Sequence, residues 1–197
     1  MSTTKILTIV FGVVSVGLAY YLFWTINSSI AETERIERLE ARIIEQLKMI
    51  REAEVAYESV YGQYTSDWDK LLNFVDTGRF YLVSRRDSII VLDYNREEVI
   101  PIIDTLGTVN VKDSIFKKET WPRFNLSTLP YVPNVEPPVK FEVWADKIEK
   151  AGKLINVIEV VNPSPVNPDR DPESELRSKL PLRFGSRTSI TTGGNWE

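Results

Sequence analysis

The sequence predicts an α+β fold: a single transmembrane helix, continuous with a long amphipathic helix, packed on a small, mainly antiparallel sheet with proline-rich loops. Three observations predict it. Residues 6–26 carry no charge. No Pro or Gly separates that run from residue 61. Residues 139–161 hold two strand-like runs around Ala151-Gly152-Lys153. The expected organisation is a transmembrane anchor at 1–29, an amphipathic or coiled helix at 30–64, an α+β globular domain at 65–162, and a proline-rich loop and C-terminal tail at 163–197.

As a helix the uncharged run spans about 31 Å, the thickness of a bilayer hydrocarbon core. Tyr20, Tyr21 and Trp24 gather at its downstream end, where amphipathic rings favour the headgroup region. A cleaved signal peptide competes with this reading, and Ser29-Ile30-Ala31 is a small-x-small site for it. The run exceeds the roughly 7–15 residues of a signal h-region, which favours an uncleaved signal-anchor. Arg35, Arg38 and Arg42 outnumber Lys5 across the span, so the Lys/Arg count leans against export of the C-terminal part. The very short polar stretch before the span argues the other way. The expectation is therefore a single-pass inner-membrane protein whose C-terminal domain faces the periplasm.

Beyond the span, Ile36, Leu39, Ile43, Gln46, Ile50, Ala53, Tyr57, Val60 and Tyr64 fall at successive a and d positions of a heptad. Such spacing lines one stripe of a helix. Up to Gln46 the stripe is narrow, as suits another helix, and Arg35 at g is placed to pair with Glu40 at e of a neighbour. From Leu47 onward Leu47, Met49 and Ala56 widen it, as suits a sheet. The candidate assembly interface is Ile36, Leu39, Ile43, Ile50, Ala53 and Tyr57, with homo-oligomer contacts expected in 30–46. A helix laid on its own domain gives the same pattern, so packing in cis and in trans both stay open.

Composition narrows the chemistry. The 197 residues hold 24 basic and 28 acidic side chains, no His and no Cys, for a net charge of −4. Without Cys there is no disulfide or thiol nucleophile, and without His no imidazole base or usual zinc ligand. A net acidic chain argues against nucleic-acid binding. There is no Gly-rich phosphate loop, and Ser178-Lys179 reads as solvated surface. No enzyme activity is expected.

One constellation is a candidate metal site. Asn167, Asp169, Asp171, Glu173 and Glu175 place oxygen ligands at alternate positions, a pattern open to Ca²⁺. A solvated acidic loop offset by Arg170, Arg177 and Lys179 is the competing reading, so no cofactor is expected beyond this weak candidate at Asp169, Asp171, Glu173 and Glu175.

Ala53-Glu54-Val55-Ala56-Tyr57, then Tyr61-Gly62-Gln63-Tyr64-Thr65-Ser66-Asp67 and Trp68-Asp69-Lys70-Leu71-Leu72, follow a membrane helix that runs on into an amphipathic half. This resembles the N-terminal portion of type IV pilins and secretion-system pseudopilins, over roughly residues 6–75. The resemblance implies a long helix closed by an A…Y…G-x-Y segment, an antiparallel sheet packed on it, and, for the type II pseudopilins, a late calcium loop. The chain lacks the family's basic Gly-ending leader and the Glu near the start of the helix. The expectation is therefore a permanently anchored, pilin-shaped relative and not a processed pilus subunit.

Elsewhere the pattern predicts a short helix at 67–75 capped by Ser66 or Asp67. Strands are expected at 80–84 and 88–94 about a turn at Arg85-Arg86-Asp87. A short helix capped at Asn95-Arg96-Glu97-Glu98 should end at Pro101, and a third strand is expected at 108–116. Val139, Phe141, Val143 and Ala145 alternate with polar residues, and 154–161 returns as the antiparallel partner. Nine of the eleven prolines lie between 122 and 172, which predicts extended connections there. The tail from Pro163, with Trp196 near its end, is expected to dock, in cis or in trans. The function that follows is a structural or scaffold component of a multi-subunit bacterial envelope assembly, of the secretion or motility kind, with the bilayer and other envelope proteins as partners. An accessory subunit of a membrane enzyme complex and an extracytoplasmic ligand-binding module are the alternatives.

Overall fold

The computed structural model describes residues 3–92, 96–150 and 152–197, and the protein is α+β. One helix, α1 (Thr3–Tyr61), runs without a break for about 88 Å. No helix breaker stands in it beyond Gly17, and Gly62 ends it in the left-handed conformation (φ 68°), donating its N–H to Glu58 O at 2.8 Å. Helix α2 (Trp68–Thr77) begins as expected: the Asp67 carboxylate accepts from Asp69 N–H at 3.0 Å.

The next segment departs from expectation. β1 (Arg79–Leu92) and β2 (Arg96–Asn110) form one long antiparallel hairpin, a sheet of its own. Arg85-Arg86-Asp87 is not a turn but lies mid-strand, opposite Ile103, Ile102 and Pro101. The residues from Arg96 are strand and not helix, while Asp93, Tyr94 and Asn95 lie outside the described residues. Pro101 is tolerated because both strands of a two-stranded sheet are edges. The third strand expected at 108–116 splits. Residues 108–110 end β2, and α3 (Val111–Ile115) follows. The Val111 N–H bonds Gly78 O at 2.9 Å, clamping the base of the hairpin.

The second sheet has the order β3-β4-β5, with β3 (Glu142–Lys150), β4 (Lys153–Val161) and β5 (Arg183–Gly185) all antiparallel. The β3–β4 hairpin is the one its alternation predicts, with Gly152 at φ 74° in the turn. β5 has no counterpart in the sequence pattern. Gly185 makes it possible: at φ 83° its Cα passes so close to Ile158 that a Cβ would collide with the Ile158 carbonyl. Gly185→Ala is accordingly expected to cost about 1–3 kcal/mol from the backbone conformation alone. The clash adds to that, and a thermal melt beside wild type measures it.

The core lies between α1 and everything else. Ile43, Leu47, Ile50 and Ala53 of α1 are fully buried against Leu71, Phe74 and Val75 of α2, Val111 of α3, and Ile158, Val160, Leu182 and Phe184 from the β3-β4-β5 side. Tyr57 closes the stripe, its ring edge-on to Phe74 at 5.3 Å. The segment from 163 belongs to this unit, because Leu182, Phe184 and Trp196 pack into the same cluster.

Candidate functional site: the long helix and the surfaces it carries

α1 divides by what covers it. From Val10 to Arg35 every residue is exposed, and the apolar run within it is long and apolar enough to cross a membrane. The fold itself shields none of that window, which separates it from the core helix of a soluble protein. Ile36 and Leu39 are half-buried. From Ile43 the stripe is the spine of the core.

The candidate interface residues therefore part company. Ile43, Ile50, Ala53 and Tyr57 pack in cis, beneath this chain's own sheet and loops. Ile36 and Leu39 keep apolar surface open just beyond the uncovered run. Gln46, the polar break in the heptad, is also used in cis: its side-chain amide donates to Thr128 O at 2.9 Å and Leu129 O at 3.0 Å. Within the chain, Arg35 and Glu40 each meet another partner. Arg35 meets Glu32 at 3.2 Å, an exposed pair of little energetic weight. Glu40 takes Arg170 in a two-pronged bond, Nε to Oε1 at 2.6 Å and Nη2 to Oε2 at 3.0 Å.

That last contact organises the acidic loop. Arg170 Nη1 donates to Ser178 O at 3.1 Å and Leu180 O at 2.9 Å. Asn167 Oδ1 accepts from Asp169 N–H and Asp171 Oδ1 from Glu173 N–H, both local turns. Asp169, Asp171, Glu173 and Glu175 are all exposed. Among the described residues no three acidic side chains converge where a metal ion could sit. The tail docks in cis: Gly194 bridges to Phe184, the Asn195 amide donates to Leu180 O and Pro181 O at 3.1 Å, and Glu197 reaches Arg51 at 2.7 Å. Arg51 holds the Glu197 carboxyl below the usual carboxylate range.

Two features had no clear sequence signal. Glu54 sits in the core, 1% exposed, with Oε2 accepting Thr65 N–H at 3.1 Å and no partner on Oε1 among the described groups. Burial pushes its pKa up to about 8, and the Thr65 bond only partly opposes this. The second is a cleft of about 630 Å³ beside α3, lined by Lys112, Lys117, Trp121 and Phe124, with the Phe116 and Phe124 rings stacked at 3.9 Å. Compared with protein-family models, curated proteins and solved structures, the chain matches none.

Proposed function

We propose that this chain is a non-enzymatic, single-pass membrane-anchored scaffold subunit of a bacterial envelope assembly, pilin-like in build, with its folded domain on the periplasmic side. The observation that carries this reading is the division of α1. Its first half leaves the domain with every side chain from Val10 to Arg35 uncovered, while its second half is the rigid centre of the core. A bilayer removes the first half from water, and the unbroken helix then fixes how the domain stands above the membrane. The lack of His and Cys throughout the chain supports a part that holds other parts and does no chemistry itself.

Ile36 and Leu39 supply the contact between neighbouring helices, close to the membrane surface. Each such contact is weak, but tethering raises the effective concentration and several contacts act together. The test is Ile36→Asp with Leu39→Asp in the full chain, extracted in mild detergent. Native mass is expected to fall while the melting temperature holds, since neither residue belongs to the core cluster. A native mass that the substitutions leave unchanged would remove the seam. One copy beside a large multi-pass partner would favour the accessory-subunit reading.

A further inference from the structure

Among the described residues the β1–β2 hairpin meets the rest of the domain at its base, where Phe80 packs on the core. Its strands of 14 and 15 residues make an arm about 46 Å long, clamped only at its base by the Gly78–Val111 bond and the Phe74–Phe80 ring contact. Among the described residues neither outer edge is paired. Tyr81, Leu82 and Val83 are consecutive and all exposed, at 72%, 49% and 55%, so over these residues both faces of β1 are apolar and bare. On β2, Ile102, Ile103 and Leu106 are exposed in the same way. Leu106 is the extra residue of a bulge, since Leu82 faces Gly107 and Val83 faces Thr105. A lone two-stranded hairpin is marginal in water, and long apolar edges are templates for further pairing.

We infer that this arm pairs strand to strand with the arm of a second copy, the outer edge of β1 in one protomer against the outer edge of β2 in the next. Charge selects this pairing over the symmetric ones. Arg86 and Asp104 meet within the hairpin at 2.8 Å; of the remaining charges in the sequence, β1 carries Arg79 and Arg85 against Asp87, a net +1, and β2 Glu97 and Glu98 against Arg96, a net −1. Pairing β1 with β1 or β2 with β2 sets like charges side by side, which destabilises a sheet; β1 with β2 sets opposite ones. Direction agrees. Neighbours in a row or large ring, inserted in one membrane the same way, are related by translation or a small rotation. That relation lays each β1 antiparallel to its neighbour's β2, continuing the ladder of the hairpin itself. The contact is head-to-tail, so it propagates into a ring or a row and does not stop at a dimer. The inference rests on the anchored-scaffold reading and deepens it.

The chain's lack of cysteine makes the test clean, because introduced thiols are the only ones present. Two differently tagged full-length copies are co-expressed and oxidised in native membranes. One carries Cys in turn at Tyr81, Leu82 or Val83; the other carries Cys in turn at Ile102, Ile103 or Leu106. A helix control carries Leu39→Cys in both copies. The mixed-tag disulfide is expected several-fold above either same-tag product for at least one pairing. Excision of residues 81–108 behind a short linker, which keeps the Gly78–Val111 clamp, should shorten the cross-linked series seen with Leu39→Cys. Same-strand products alone overturn the inference. So does the absence of arm products, or a disulfide-independent photo-cross-link from the arm to a different protein only, where Leu39→Cys still cross-links; the scaffold reading then survives. Loss of both arm and helix products overturns the two together.

Discussion

Glu54→Gln is expected to abolish a fall in stability that the unchanged protein shows between pH 4.5 and about 8. The carboxyl is buried on α1, with one oxygen on Thr65 N–H and the other unpartnered, so the fold favours its protonated form. In the unfolded chain it loses its proton near pH 4.5; in the folded one it holds it to about pH 8. Across that window the native state binds the extra proton, and stability must drop as pH rises. The contribution is complete below the unfolded value and gone above the folded one. At about 1.4 kcal/mol per pH unit the drop amounts to several kcal/mol, or on the order of 10 °C in melting temperature for a domain of this size. Gln has nearly the shape of the neutral acid and no proton to lose. The variant should match the parent at pH 4.5 and melt well above it at pH 8.5. An equal slope in both proteins would mean that Glu54 is solvated. Tyr64 beside it is also raised, by burial and then by Glu58 and Glu54, but it titrates above this window.

The parts of this fold that were legible are those where one local rule sufficed. A charge-free stretch and the absence of Pro or Gly between it and Gly62 gave α1. Ser66 or Asp67 marked the start of α2, and alternation from Val139 followed by an apolar run after Gly152 marked the β3–β4 hairpin, though Val139 and Phe141 lie just outside β3. The β1–β2 arm was misread for a physical reason. Alternation reports a sheet with one buried face, and an arm that exposes Tyr81, Leu82 and Val83 in succession has none, so Arg85-Arg86-Asp87 passed for a turn and Asn95-Arg96-Glu97-Glu98 for a helix start. β5 was invisible because three residues hold no pattern; Gly185 and the β4 backbone define it. The heptad residues pose a deeper ambiguity. Ile43, Ile50, Ala53 and Tyr57 have the spacing of a helix–helix seam, yet a helix packing on its own domain demands the same spacing. Only the loop carbonyls that accept from Gln46 distinguish the two, and they lie more than 80 residues away along the chain.

Arg170→Ala is expected to destabilise the domain by about 3 kcal/mol or more, because it strands a largely buried carboxylate and removes the donor that holds Ser178 O and shares Leu180 O with Asn195. The Arg170 and Glu40 side chains are only 12% and 16% exposed, so solvent screens their attraction poorly. The pair joins positions 130 residues apart, tying the loop that precedes β5 to α1 just outside the uncovered half of the helix. Removing either partner leaves the other buried and unpaired, and the single losses should be similar. Glu40→Ala with Arg170→Ala should therefore cost clearly less than their sum, with a coupling energy of about 1–3 kcal/mol. The consequence is also directional. Leu182 and Phe184 follow the loop directly into the core, so amide exchange should quicken first between 167 and 185 and only later in β3 and β4. A double mutant that costs the full sum would make the contact an incidental surface pair. Retention of native exchange in the loop of Arg170→Ala would show that Leu182 and Phe184 alone suffice to hold it. If the predicted order holds, this ion pair, and not the proline content of the segment, is what seats the C-terminal strand on the helix that the anchor orients.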